Sequence, residues 1–132
     1  MSTRSQIKLK ESTDNIHVYK HSDGYPEGVL PVLVPFVKEF MASRGYDECY
    51  LLAQVVRRFA VTDYLDQKLF EERHPQLSPH DTTRDFLGWG LDCEKHGDID
   101  YLYEIDKTGA IFVNGKKLTE KEMNKYTTNK TA

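Results

Sequence analysis

The stretch His21-Ser22-Asp23-Gly24-Tyr25-Pro26-Glu27-Gly28 narrows the folds open to this chain more than any other. Its residues are mostly polar, turn-forming or titratable. They nevertheless join a strand-like run ending at Lys20 to the most apolar helical pattern in the sequence, residues 29–41. A reversal from strand to helix in so few residues puts an imidazole, two carboxylates and two glycines at one junction. A site can be built there, but any sharp strand-to-helix turn also draws on these residue types.

Upstream, residues 3–10 alternate, with Ile7 and Leu9 on one face and Lys8 and Lys10 on the other. After a turn cluster at residues 12–15 the alternation resumes. Ile16 and Val18 then share one face, and His17, Tyr19 and His21 the other. The two runs predict an opening β-hairpin that sets residues 3–5 across from the His21 end. Downstream, Leu30, Leu33, Val34, Val37, Phe40 and Met41 recur at helical spacing up to Gly45. Pro31 suits a first turn. Pro35 should either kink the helix or delay its regular part to about Val34, because proline lacks the N–H and crowds the preceding turn.

Asp47 is placed to cap a second helix, with Leu51, Leu52, Val55, Val56 and Phe59 toward the core and Arg57 and Arg58 in solvent. That helix can run on through Leu65 and Leu69 until Pro75 ends it. Residues 74–84 read as a loop, and residues 86–91 as a tightly packed segment or short irregular strand. Ile99, Tyr101, Tyr103 and Ile105 then mark one face of a strand. A turn at Asp106-Lys107-Thr108-Gly109 returns the chain through residues 110–113. Asn114-Gly115 signals a type I′ turn into residues 116–118, and Thr119-Glu120-Lys121-Glu122 a capping box for a short last helix.

The fold expected from this pattern is α+β: an antiparallel sheet of four to five strands, in chain order β-β-α-α-β-β, with two main helices on one face. The 132 residues, 39% apolar and 30% charged, suit one domain over residues 1–132, with 127–132 frayed. A net charge of −3 creates no general field for nucleic acid or an anionic membrane. No apolar run approaches the roughly 18 residues of a membrane span. The first six residues lack the apolar core of a signal peptide. Cys49 and Cys93 stand apart in the sequence, as reduced thiols of a cytoplasmic protein do. Cys49, in the first turn of a helix, is expected to be buried.

Arg4, His21, Asp23, Tyr25 and Glu27 form the first constellation with chemical potential, because the hairpin brings Arg4 toward the turn. The Arg4 guanidinium would then meet Asp23 or Glu27, or bind an anionic ligand. The plainer reading has Asp23 shaping the turn, Glu27 favouring the helix N-terminus and Arg4 in a surface ion pair. The second constellation is His96 and Asp98, at the entrance to the tyrosine strand. His21, Asp23, His96 and Asp98 would suit a divalent metal only if they converged, which nothing in their spacing requires, so neither metal nor cofactor is expected. Tyr101, Tyr103 and Trp89 can stack on a base, although such stripes more often belong to the core.

Three segments taken together, Ser2-Thr3-Arg4-Ser5, His21 to Glu27 and His96-Gly97-Asp98-Ile99-Asp100-Tyr101-Leu102-Tyr103, resemble a group of small uncharacterised phage and prophage proteins. These typically open with an (A/S)TRS strand, followed by HxDGYPE and a late GDxEYxY strand. Many of them carry tryptophan where this chain has Ser22, which thins any aromatic wall at that turn. The resemblance brings no activity with it, but it implies a phage-type accessory protein acting inside a bacterial cell. The function expected is binding: inhibition or sequestration of host defence machinery through Arg4, His21, Asp23, Tyr25, Glu27, His96 and Asp98. The partner is then a host protein or a nucleotide-like small molecule. The alternative is a small hydrolase or transferase on a nucleotide or phosphate ester, with Arg4 on the phosphate and His21 a base oriented by Asp23. An enzyme needs these groups around one pocket, whereas a binding protein needs an open patch.

Overall fold

The first two alternating runs form β1 (Ser5–Leu9) and β2 (His17–Lys20), an antiparallel pair with Ser5 opposite Lys20 and Ile7 opposite Val18. Ile7, Leu9 and Val18 are buried on the side where the helices pack. The computed structural model describes residues 3–12, 16–21, 23–76 and 89–128. Ser22, most of the loop expected at 74–84, the first part of the segment expected at 86–91, and the tail beyond 128 lie outside those residues.

Helix α1 (Pro26–Ser43) starts well before Val34, so the delayed start, one of the two outcomes expected of Pro35, is not adopted. Pro26 occupies the first turn, where a missing N–H costs nothing and the fixed φ suits the helix. Pro31 and Pro35 remain inside, at about 3 kcal/mol each for an interior proline. Val29, Leu30, Leu33, Val34, Phe36, Val37 and Phe40 are all buried, at roughly 1.5–3 kcal/mol for each large apolar side chain, and this outweighs the proline cost. Helix α2 (Glu48–Arg73) follows, with Asp47 Oδ1 accepting from the Cys49 N–H at 3.1 Å as the expected cap. Leu51, Val55 and Phe59 are buried, while Leu52 and Val56 are half-buried. Arg58 is not simply solvated. Its guanidinium lies 3.3 Å from Glu39 Oε1 and 5.2 Å over the Phe36 ring. The helical period does continue through Leu65 and Leu69, but these are 59% and 44% exposed.

The sheet departs from expectation in strand number and in direction. Beyond β1 and β2 it contains β3 (Trp89–Asp92), β4 (Tyr101–Ile105), β5 (Ile111–Val113) and β6 (Lys116–Lys117), in the order β3-β2-β1-β4-β5-β6. All neighbours are antiparallel except β1 and β4, which are parallel with Ser5 opposite Tyr101 and Leu9 opposite Ile105. The protein is therefore α+β with a mixed six-stranded sheet. Helix α3 (Glu120–Thr128) packs on α1. It is closed by the expected capping box, with the Glu122 N–H donating to Thr119 Oγ1 at 3.1 Å and the Thr119 N–H to Glu122 Oε1 at 2.9 Å. It runs to Thr128, past the point where fraying was expected. Asn114 and Gly115 have φ of 51° and 85°, the left-handed pair that a type I′ turn requires.

One consequence of the strand order places the site. Strands β3 and β4 run parallel and lie on opposite sides of the β2–β1 pair, so residues 93–100 must cross that pair. Parallel strands are usually joined by a dozen or more residues, commonly a helix. Here a short strap does it, across the face on which no described helix packs.

Candidate functional site

The helix-free face presents every second residue of its strands: Arg4, Gln6, Lys8 and Lys10 along β1 and its ends, and His17, Tyr19 and His21 along β2. Asp92 comes from β3, and Leu102 and Glu104 from β4. Gln6 is fully buried under the strap, which it holds at two points, with a third bond to the end of β3. Its Nε2 donates to Asp92 Oδ2 at 3.0 Å and to the Glu94 carbonyl at 3.1 Å, and its Oε1 accepts from the His96 N–H at 3.0 Å. Arg4 secures the far end of the strap. Its Nη1 meets Asp98 Oδ2 at 2.6 Å, its carbonyl accepts from the Asp100 N–H at 2.9 Å, and its N–H donates to Asp100 Oδ2 at 3.2 Å.

The His96 ring is thereby set between two carboxylates, with Nε2 3.3 Å from Asp92 Oδ1 and Nδ1 3.9 Å from Asp98 Oδ1. Its centroid is 5.6 Å from the Tyr19 ring, and Tyr19 shares a hydrogen bond of 2.9 Å with His21 Nδ1. Burial raises the Tyr19 phenol above its ordinary value, against the lowering effect of Arg4 and with further help from Asp98 and Asp92. The phenol therefore stays protonated at neutral pH, and the direction of its bond to His21 Nδ1 follows the imidazole tautomer. Arg4, His96, Asp98, Tyr19 and His21 form one connected patch.

The other expected site residues take structural roles. Asp23 holds φ 55°, a left-handed conformation that Asp tolerates better than most residues. Gly24 and Gly28 have no room for a side chain: a Cβ on Gly24 would lie 2.6 Å from Ser5 Oγ, and one on Gly28 would lie 2.4 Å from the Asp23 carbonyl oxygen. The Gly24 N–H donates to the Thr3 carbonyl at 2.9 Å, and its own carbonyl accepts from the buried Tyr103 hydroxyl at 2.7 Å. Tyr25 precedes α1 without a capping side-chain bond, and Glu27 lies in the first turn of that helix. Among the described residues no hydrogen bond or ion pair links Asp23, Tyr25 or Glu27 to Arg4. The expected partner of Arg4 is corrected to Asp98, and the partner of His21 is Tyr19, not Asp23.

Tyr19, Gln6 and Asp92 belong to the site but were not singled out by the sequence. Tyr19 had a usable signal, two residues before His21 on the same strand face. Gln6 and Asp92 had none, because their importance depends on the crossing strap. The tyrosine stripe is core: Tyr103 is fully buried and stacks on Tyr101 with centroids 6.2 Å apart. Both cysteines are free thiols and both are exposed, contrary to the burial expected for Cys49.

Cavities of about 660, 740, 240 and 310 Å³ are lined by other residues; none includes Arg4, His21, Asp23, Tyr25, Glu27, His96 or Asp98. Among the described residues no group of three or more His, Cys, Asp and Glu side chains is arranged to hold a metal ion. No described helix is long and apolar enough to cross a membrane. Comparison with protein-family models, curated proteins and solved structures finds no match to the chain.

Proposed function

We propose that the protein acts by binding a protein partner through the strapped, helix-free face of its sheet, with Tyr19, His21, His96 and the Arg4–Asp98 pair at the contact. The observation that carries this reading is that, among the described residues, the chemically capable groups share one sheet face, bonded to one another, and line none of the four cavities described. Arg4 is already paired with Asp98 at 2.6 Å, which offsets part of the charge an anionic ligand would meet there. The face and its strap present Arg4, Lys8, Lys10 and Lys95 against Asp92, Glu94, Asp98, Asp100 and Glu104, a balance that gives a polyanion no net attraction. Tyrosine, arginine and histidine over a rigid sheet are what a protein interface uses for its strongest contacts. Together with the phage-protein resemblance, this supports a reading in which the partner is a host protein and the role is inhibition or sequestration inside a bacterial cell.

The test is size-exclusion chromatography of the tagged protein alone and after mixing with a bacterial lysate. The wild type should move to a larger assembly, and a Tyr19→Ala/His96→Ala variant should stay at the mass of the free chain. Turnover of a nucleotide or phosphate ester that is abolished by Arg4→Ala would instead establish the hydrolase reading.

A further inference from the structure

We propose that Asn114 is a modification site: a latent centre of spontaneous deamidation, guarded by the bonds its amide makes to β4, whose conversion releases the far end of the strap. The inference goes beyond the partner surface proposed above and holds whether or not that face binds a protein. Asn114-Gly115 is the one Asn-Gly step in the chain, since Asn15, Asn124 and Asn129 precede Ile or Lys. Glycine has no side chain to shield its backbone nitrogen, so this is the asparagine whose side-chain carbonyl is most open to attack by the next residue. Both residues are exposed, so solvent base and water reach them.

The fold opposes the reaction. Asn114 Oδ1 accepts from the Leu102 N–H at 2.8 Å and its Nδ2 donates to the Asp100 carbonyl at 3.3 Å, so both ends of the amide are committed to β4 and the strap. Ring closure requires Cγ to swing over the Gly115 nitrogen, and both bonds must break first. The Gly115 nitrogen, its proton lost to solvent base, then bonds to Cγ. The Cγ–Nδ2 bond breaks and Nδ2 leaves as ammonia. Water opens the resulting succinimide at either carbonyl, giving aspartate or isoaspartate. Neither product restores the bond to Asp100, because a carboxylate oxygen only accepts and would face a carbonyl oxygen. The loss falls on the residue that ties the strap to β1: the Asp100 N–H donates to the Arg4 carbonyl at 2.9 Å, and its Oδ2 accepts from the Arg4 N–H at 3.2 Å. The product also adds a negative charge beside Asp100.

The test compares the full chain with a peptide of residues 111–118 in the same mildly alkaline buffer. Deamidation at Asn114 is followed by mass spectrometry, with isoaspartate scored by enzymatic methyl labelling. Two side-chain bonds of ordinary strength should slow the folded chain about tenfold to a hundredfold relative to the peptide. Amide hydrogen exchange is then measured on Asn114→Asp and on deamidated chain separated by charge from aged protein. Exchange at Asp100 should rise several-fold in both, while the β1–β2 pair stays protected. Equal rates in chain and peptide would show that the fold does not guard Asn114, and an unreactive peptide would remove the site. Unchanged exchange at Asp100 in both products, or products that no longer fold at all, would overturn the local release of the strap.

Discussion

Replacing Tyr103 by phenylalanine tests whether the turn is held from beneath. The Tyr103 hydroxyl donates to the Gly24 carbonyl at 2.7 Å, and both residues are buried. Phenylalanine keeps the ring and its packing but leaves that carbonyl without its partner, which costs about 1–3 kcal/mol. At about 3–5 °C per kcal/mol for a domain of this length, the melting temperature should fall by several degrees. A second signature follows from titration. Burial, reinforced by Tyr101, Glu27 and Tyr126, pushes the Tyr103 phenol far above its ordinary value of 10.0. A pKa raised in the folded state contributes stability that is complete below the unfolded value and declines as pH rises above it. The wild type should therefore lose up to about 1.4 kcal/mol per pH unit above pH 10 on account of this group, and Tyr103→Phe should not. Urea unfolding at pH 7 and at intervals from pH 9.5 to 11 measures both effects. A variant within about 0.5 kcal/mol of the wild type, the range of an ordinary surface change, would show that the hydroxyl does not hold the turn. An unchanged alkaline slope would refute the titration argument.

Gly28→Ala should destabilise by about 1–3 kcal/mol in thermal melts, because its Cβ would meet the Asp23 carbonyl oxygen at 2.4 Å. The sign is diagnostic, since alanine for glycine inside a helix ordinarily stabilises by up to about 1 kcal/mol. Gln6→Leu should release the strap, raising amide hydrogen exchange at His96, whose N–H donates to Gln6 Oε1, while β4 and β5 stay protected. Asp106 lies below its ordinary carboxylate value of 3.8: burial pushes it up, but bonds from Thr108 and Ala110, with the Lys117 charge, prevail. Its contribution is present above pH 3.8 and is lost as pH falls through the lower folded value, so Asp106→Asn should flatten the acid limb of the stability curve.

Features set by neighbouring residues were legible in the sequence. Alternation revealed the β1–β2 hairpin and its register, Asp47 the start of α2, Asn114-Gly115 the I′ turn, and Thr119 with Glu122 the capping box. Each depends on contacts within a few residues. The parallel β1–β4 pair depends on none, and alternation alone carries no information about strand direction. The strap follows from that pairing, so the role of Gln6 could not be read either. The prolines point elsewhere: Pro31 was read as first-turn and Pro35 as a kink or a start delayed to Val34, whereas α1 begins at Pro26, because the burial of one face, a tertiary effect, outweighs their cost. Leu65 and Leu69 keep the helical period without burial, because period specifies a face and not what covers it. Of the residues read as candidates, Arg4, His21, His96 and Asp98 come together on the strapped face. Asp23, Tyr25 and Glu27 stay at the turn apart from that patch, and residues that suit a sharp turn and residues that suit a site are the same types.

Quantitative affinity capture from a bacterial lysate separates the two locations directly. Wild type, a face variant (Tyr19→Ala/His96→Ala) and a turn variant (Asp23→Ala/Tyr25→Ala) would be compared at equal folded concentration, checked by circular dichroism. If the strapped face is the contact surface, one set of proteins is enriched by the wild type and the turn variant and lost by the face variant. Capture lost by the turn variant and retained by the face variant would return the site to the strand-to-helix junction and contradict the binding surface described above.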